Sequence, residues 1–196
     1  MLSLNTTRAG RQRGFTLLEV LITMVILAFG LLGLVNLQGK LHLTESEAYQ
    51  RAQAVVLLQD MSNRVRANYS QAASYVTDSP LGTGTTFVCL PLPATPVGLD
   101  KCNWSDRLKG SSETKAGANV GAMVDARGCV EQIQAPDGTA GICTPGVYRV
   151  TVAWQGLHET VEPDLTCGED LYGGAAKEKY RRAISSVITV GLPRCT

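Results

Sequence analysis

The sequence is poor in several things that most functional classes require. Histidine occurs only at His42 and His158, so a multi-histidine metal site has no ligands to draw on. Aromatic residues make up 6% of the chain and charged residues 18%, with 18 Lys+Arg against 17 Asp+Glu. The formal net charge of +1 argues against a chain that holds a polyanion, and so against a nucleic-acid partner. No cysteine precedes Cys89 and no C-x-x-C occurs, which excludes a zinc knuckle or a thioredoxin-type motif. G-x-S-x-G, H-E-x-x-H, G-x-x-x-x-G-K-[ST] and the dinucleotide fingerprint are missing too. Gly82-Thr83-Gly84 lies in a Pro-rich stretch and reads as a loop. The expectation is a protein that is no enzyme and carries neither cofactor nor metal.

What is present is distributed unevenly. The 196 residues suit one domain plus an extension, and 44% hydrophobic residues exclude wholesale disorder. All six cysteines (Cys89, Cys102, Cys129, Cys143, Cys167 and Cys195) lie in the C-terminal part. Arg8, Arg11 and Arg13 fall within the first 14 positions with no acid among them, and the remaining 182 residues carry net −2. Phe15 to Val35 reads FTLLEVLITMVILAFGLLGLV. As a helix these residues span about 31 Å, the thickness of a bilayer's hydrocarbon core. The arginines place the N-terminus in the cytoplasm and everything after Val35 outside. A cleavable secretory signal would have an apolar core of about 7–15 residues ending in a small-x-small site. Ala28-Phe29-Gly30 has that shape but is buried inside the run, which argues against such cleavage.

Glu19 does not fit a plain anchor. An ionisable group in a spanning helix costs about 2.5–3.5 kcal/mol at the helix centre and less near an end. Snorkelling to the headgroups is one account of it. The other is a cationic partner, such as an α-amino group freed by cutting just before Phe15.

Arg13-Gly14-Phe15-Thr16-Leu17-Leu18-Glu19 resembles the class III prepilin signal of type IV pilins and pseudopilins. The resemblance implies cleavage between Gly14 and Phe15 by prepilin peptidase, after a leader made basic by Arg8, Arg11 and Arg13. It also implies N-methylation of Phe15, and a role for Glu19 in aligning a subunit with its neighbour in the filament. Physics supplies a reason: a lone carboxylate among packed apolar helices is costly, and a paired one much less so. Major pilins often carry proline some twenty residues into the mature helix, where this chain has Asn36; Gly30, Gly33 and Gly39 offer other points for bending.

Past the apolar run, Ala48, Ala52, Val55, Leu58, Met61 and Val65 recur at steps of three and four, one face of a helix. The spacing predicts a single helix from Thr16 to Asn68 whose second half lays this stripe on a globular body. Gly30–Leu34, Ala48–Ala52 and Leu58–Asn68 resemble the type IV minor pilins grouped as pilus modification proteins, with the I-type minor pseudopilins of type II secretion as relatives. That implies as partners other minor pilins, the major pilin, prepilin peptidase, the pilus assembly machinery of the inner membrane and, before assembly, the lipid bilayer.

After Asn68 the composition turns to Gly, Pro, Ser and Thr, and residues 77–98 hold four of the eight prolines. Asn103–Lys109 is expected as a short helix. Gly128–Gln134 and Tyr148–Trp154 read as a hairpin around a long turn, with Tyr148, Val150, Val152 and Trp154 on one face. Arg182–Gly191 reads as a third strand. Together these predict an α+β pilin fold: a long N-terminal helix, transmembrane in its first half, packed on a small antiparallel sheet with disulfide-stapled loops. Its divisions are a leader over 1–14, a transmembrane half over 15–37, an amphipathic half over 38–68 and a periplasmic domain over 69–196.

Six cysteines allow fifteen pairings; sequence-neighbour pairing, Cys89–Cys102, Cys129–Cys143 and Cys167–Cys195, is the expectation, with Cys129 facing Cys143 across the hairpin. Lys177, Lys179, Arg181 and Arg182, diluted by Glu178, read as a solvated basic face, and His158 as a solvated turn residue. Three functions remain in order: a minor pilin that primes pilus assembly, an I-type pseudopilin, and a membrane-anchored periplasmic enzyme or binding module.

Overall fold

The computed structural model describes residues 14–87, 89, 93–111, 113–119, 121 and 123–192. Arg8, Arg11, Arg13 and Cys195 lie outside the described residues. The chain divides into two compact units, Met1–Thr44 and Glu45–Thr196.

Helix α1 runs from Leu17 to Ala67 and contributes to both units. The first proline of the chain is Pro80, so nothing interrupts its ladder of backbone hydrogen bonds. It ends where the Asn68 N–H closes on the Arg64 carbonyl at 3.0 Å, and two tight 3₁₀ turns follow over Tyr69–Tyr75. In the first unit no described residue is buried.

The second unit is built on a four-stranded antiparallel sheet. Strand β1 (Leu81–Gly82) is followed by helix α2 (Pro96–Leu108) and a small hairpin of β2 (Thr114–Lys115) and β3 (Ala118–Asn119). The long strands β4 (Val124–Gln134), β5 (Gly146–Gln155) and β6 (Arg181–Val190) complete the sheet in the order β1-β4-β5-β6. Strands β4 and β5 are the expected hairpin, and β6 is the expected third strand. Helix α2 begins seven residues earlier than Asn103. Thr95 caps it by accepting the Gly98 N–H at 3.1 Å, and Pro96 sits in the first turn, where its missing N–H costs nothing.

One face of the sheet carries the main core. Tyr148, Val150, Val152 and Trp154 pack with Ile188 and Val190 against Leu57, Leu58, Met61 and Val65 of α1. The helical stripe is rotated from its expected position: Leu58, Met61 and Val65 are buried, but Ala48, Ala52 and Val55 are exposed. Gln50, Ala54, Leu57 and Ser62 take the inner face instead. The six apolar positions drift around the helix at 100° per residue, and only the C-terminal three meet the sheet.

Trp104 of α2 joins the layers. Its indole is fully buried and donates Nε1–H to the Leu57 carbonyl of α1 at 2.9 Å. Its ring lies on Gly128 of β4, where a Cβ would fall 2.2 Å from the Trp104 Cη2. Glycine is required there by close approach rather than by backbone angle.

The opposite face is covered as well, which the alternating pattern did not suggest. Cys129 and Ala153 are buried there with Cys167 and Tyr172 from the segment between β5 and β6, and Thr151 is 1% exposed. Cys129 is bonded to Cys167, not to Cys143, and Cys89 is bonded to Cys102 as expected. Cys143 is also disulfide-bonded. The expected Cys129–Cys143 and Cys167–Cys195 pairs are therefore both wrong. Cys129 opposes Thr151 in mid-strand, while Cys143 sits at the hairpin tip beside the Asp137↔Thr144 bridge. The strand runs five residues past Cys129 to Gln134, roughly 16 Å, and the tip that holds Cys143 lies beyond it, far outside the ~7 Å between Cα atoms that a disulfide tolerates. Closing loops of 13 and 38 residues contributes about 3 and about 4 kcal/mol in the chain-entropy model. A long apolar N-terminal helix, an antiparallel sheet and disulfide-stapled loops make a pilin-like α+β architecture.

Replacing Gly128 by Ala should overpack the Trp104 contact and cost about 1–3 kcal/mol in urea denaturation. Gly138→Ala, at a position open to solvent, should leave the midpoint unchanged. A non-reducing peptide map should show linked peptides for Cys89–Cys102 and Cys129–Cys167, and none joining Cys129 to Cys143.

Candidate functional site

The N-terminal motif occupies the start of α1. Gly14 and Phe15 precede the helix and are exposed, and Glu19 lies in its first turn. The Glu19 N–H bonds the Thr16 carbonyl at 3.1 Å and the Thr16 hydroxyl at 3.3 Å, so Thr16 caps the helix start. Nothing lies within 4 Å of the place where a Cβ on Gly14 would be. Packing among the described residues does not demand glycine at that position.

From Phe15 to Val35 every large apolar side chain is exposed, from Leu17 at 85% to Val20 at 44%. Fifteen such side chains, at about 1.5–3 kcal/mol each when taken out of water, represent roughly 20–45 kcal/mol of unfavourable hydration. That exceeds the whole stability of an ordinary domain, about 5–15 kcal/mol. The segment is suited to apolar surroundings, and α1 is long and apolar enough to cross a membrane. Glu19 is the one charged residue between Gly14 and Lys40.

In the second unit several charged side chains are engaged with one another. The Glu47 Oε1 accepts from the Leu157 N–H at 3.1 Å and Arg182 at 3.3 Å, and His158 Nδ1 lies 2.9 Å from it. His158 is thus solvated in part but also held by Glu47. Arg64 bridges Asp60 and Asp100, and Asp100 accepts the Tyr75 hydroxyl. Burial pulls the Arg64 guanidinium down, and the bonds to the two aspartates more than reverse this, leaving it raised. Burial, reinforced by the bond to Asp100, pushes the Tyr75 phenol up to about 12. Burial lowers the Lys101 ammonium, whose Nζ donates to the Val76 carbonyl at 2.8 Å.

The basic run at 177–182 is not the solvated face expected. Arg181 is 1% exposed and Glu178 2%. Arg181 pairs with Glu178 and donates to the carbonyls of Pro163, Leu165 and Cys167, while Glu178 takes the Asp170 N–H at 2.8 Å. The pair pins the segment that Cys129–Cys167 staples to the sheet. Sequence could not reveal this, because neither residue stands in an apolar pattern. Lys177 and Lys179 remain exposed. Arg127, half of an ion pair with Asp125, lies 5.0 Å from the centre of the Tyr172 ring, a cation–π contact. Among the described residues no group of three or more His, Cys, Asp or Glu side chains is arranged to hold a metal.

Tyr75 connects this network to pH. A phenol raised above its unfolded value stabilises the fold fully below about pH 10 and loses that contribution as pH climbs toward 12. Thermal melts should therefore fall between those values, with part of the fall absent in Tyr75→Phe. Arg181→Ala, which strands a buried Glu178, should cost about 3–5 kcal/mol.

Residues 10–35 match the family model described as a prokaryotic N-terminal methylation motif. No curated protein and no solved structure matches the chain. The match takes in Gly14, Phe15, Glu19 and the apolar helix start, the residues that stand apart from the chain's own packing. It supports a class III prepilin, a pilin-type chain whose apolar helix fits membrane anchoring and whose processing involves prepilin peptidase.

Proposed function

We propose that this chain is a type IV minor pilin of the PilV kind, a structural subunit and not an enzyme. Prepilin peptidase cuts it between Gly14 and Phe15 and methylates the new amine of Phe15. The subunit then rests in the inner membrane with its N-terminus cytoplasmic and residues 69–196 periplasmic. With other minor pilins it primes assembly of the major pilin through the inner-membrane machinery and caps the pilus tip, in support of twitching motility, adhesion or DNA uptake.

The observation that carries this reading is the combination of the matched motif with an apolar stem whose described residues are all exposed. Glu19 follows the new N-terminus by four positions, one helical turn, so its carboxylate and the amine of a neighbouring subunit are suited to pair. Pairing offsets the cost of holding either charge among packed apolar helices. Glycine at position 14 suits an enzyme that needs a small residue before the cut, since nothing among the described residues requires it.

Mass spectrometry of the N-terminal peptide from native membranes should find a chain beginning at Phe15 and one methyl group heavier. Gly14→Val should leave the leader attached. Glu19→Gln should be processed normally, yet be depleted from sheared pili. A chain that begins at Met1 in cells with working prepilin peptidase would sink the pilin reading. Normal pilus assembly in cells lacking this chain, together with a defect in type II secretion, would move it to the I-type pseudopilins.

A further inference from the structure

The two edges of the sheet differ in how they are closed. The outer side of β4 is covered by β1 over Arg127 and Gly128, and by Thr77, whose N–H donates to the Val130 carbonyl at 3.0 Å while its hydroxyl accepts the Val130 N–H at 3.1 Å. Strand β6 forms the other edge, and among the described residues no strand lies beyond it. Its register with β5 runs unbroken from Gly146↔Val190 to Gln155↔Arg181.

The pairing fixes which backbone groups are free. The Gly156 N–H donates to the Tyr180 carbonyl at 2.8 Å, one step past the last ladder pair. Hydrogen-bonded and non-bonded pairs alternate in an antiparallel ladder. Arg182, Ile184, Ser186, Ile188 and Val190 therefore turn their N–H and C=O toward β5. Ala183, Ser185, Val187 and Thr189 turn theirs outward. Among the described residues none of these outward groups has a hydrogen-bond partner. Ser185, Val187 and Thr189 are exposed, with Val187 at 53%.

Natural edge strands are guarded by lysine, proline, bulges or short length. The run AISSVITV, residues 183–190, has no charge, no proline, no glycine and no bulge. Cations sit at its two ends instead: exposed Lys177 and Lys179 before the strand, and exposed Arg66 after it. Arg66 and Tyr69, with Thr189–Leu192, line an open groove of about 370 Å³ that continues the edge.

We propose that the β6 edge is a strand-addition site for an extended segment of another polypeptide, uncharged and β-branched at its centre and acidic at both ends. Only an extended main chain presents donors and acceptors at the two-residue repeat of the free groups on β6. The acidic ends follow from charge. One carboxylate meets Lys177 and Lys179, and the other meets Arg66 beside the groove. A second copy of β6 is disfavoured on the same ground, because antiparallel self-pairing sets the lysines of one copy against the Arg66 end of the other. The inference goes beyond the filament reading and stands whether or not that reading holds.

The test uses the full-length chain in detergent micelles and a nine-residue peptide of alternating Val and Thr with two Glu at each end. Hydrogen–deuterium exchange with residue-level fragmentation should show the amides of Ser185, Val187 and Thr189 slowed at least tenfold by the peptide. A peptide with Lys at its ends should give less than a third of that effect. Val187→Pro removes an N–H that β5 does not use, so the melting midpoint should hold while the protection disappears. Should that variant melt early, the surface variant Arg66→Glu with Lys177→Glu and Lys179→Glu decides instead: its preference should reverse to the Lys-ended peptide. Four results would overturn the proposal: no protection by either peptide, protection untouched by Val187→Pro, protection that rises with protein concentration alone, and protection by single-stranded DNA but not by peptide. The third would assign the edge to a second copy, and the fourth to nucleic acid.

Discussion

The second unit depends on a single aromatic side chain placed where three elements meet. Trp104 spends its one polar group on the Leu57 carbonyl of α1, an acceptor with a lone pair to spare inside a helix. Its ring fills the space that Gly128 leaves on β4. Truncating a buried tryptophan of this kind typically removes about 3–5 kcal/mol. Here it would also weaken the seat of α2 on both neighbours, since the other buried residues of α2 (Val97, Cys102, Ser105 and Leu108) are smaller. The Ser105 hydroxyl extends the joint by accepting the Gly82 N–H of β1 at 3.1 Å.

Around that joint, scarce charge is used mainly for internal fastening. Glu47 ties α1 to the turn after β5, Asp60 and Asp100 hold Arg64, and Glu178 with Arg181 anchors the segment on the far side of the sheet. Of these only Glu178–Arg181 is fully buried; such a pair contributes little net stability over apolar side chains of the same size, but losing one partner is costly. The Arg64 cluster joins α1 to α2, and the Glu178–Arg181 pair holds the 163–170 segment. The disulfide Cys129–Cys167 acts on the same segment by removing freedom from the unfolded chain. The Met1–Thr44 unit follows the opposite rule. Its helix has one charge in its apolar run and no buried residue, so its stability in isolation comes from backbone hydrogen bonds and its placement from the medium around it.

Most elements were legible because their signals are local. The proline-free run with period near 3.6 marks α1, and the alternation from Tyr148 to Trp154 marks β5. The start of α2 was also written locally, as Thr95 followed by Pro96, but a Pro-rich neighbourhood hid it. Other features have no local signal. Whether Val55 or Ala54 faces the sheet depends on where the sheet stops along the helix, and Val55 is exposed while Ala54 is buried. Arg181 and Glu178 look like any surface pair until the 163–170 segment folds over them.

The sequence by itself determined the motif from Gly14 to Glu19, the length and hydropathy of the stem and the existence of three long strands. Each depends on neighbouring residues along the chain: a spacing, a run length or a period. The cysteine pairing, the second covered face of the sheet and the requirement for glycine at position 128 were decided by tertiary structure. Each depends on which residues from distant parts of the chain come within a few ångströms of each other. Cys129 and Cys167 are 38 residues apart, and their Cα atoms lie 5.8 Å apart only because the segment after β5 returns across the sheet. The open edge of β6 belongs to the same group, since a strand becomes an edge only by its place in the sheet order.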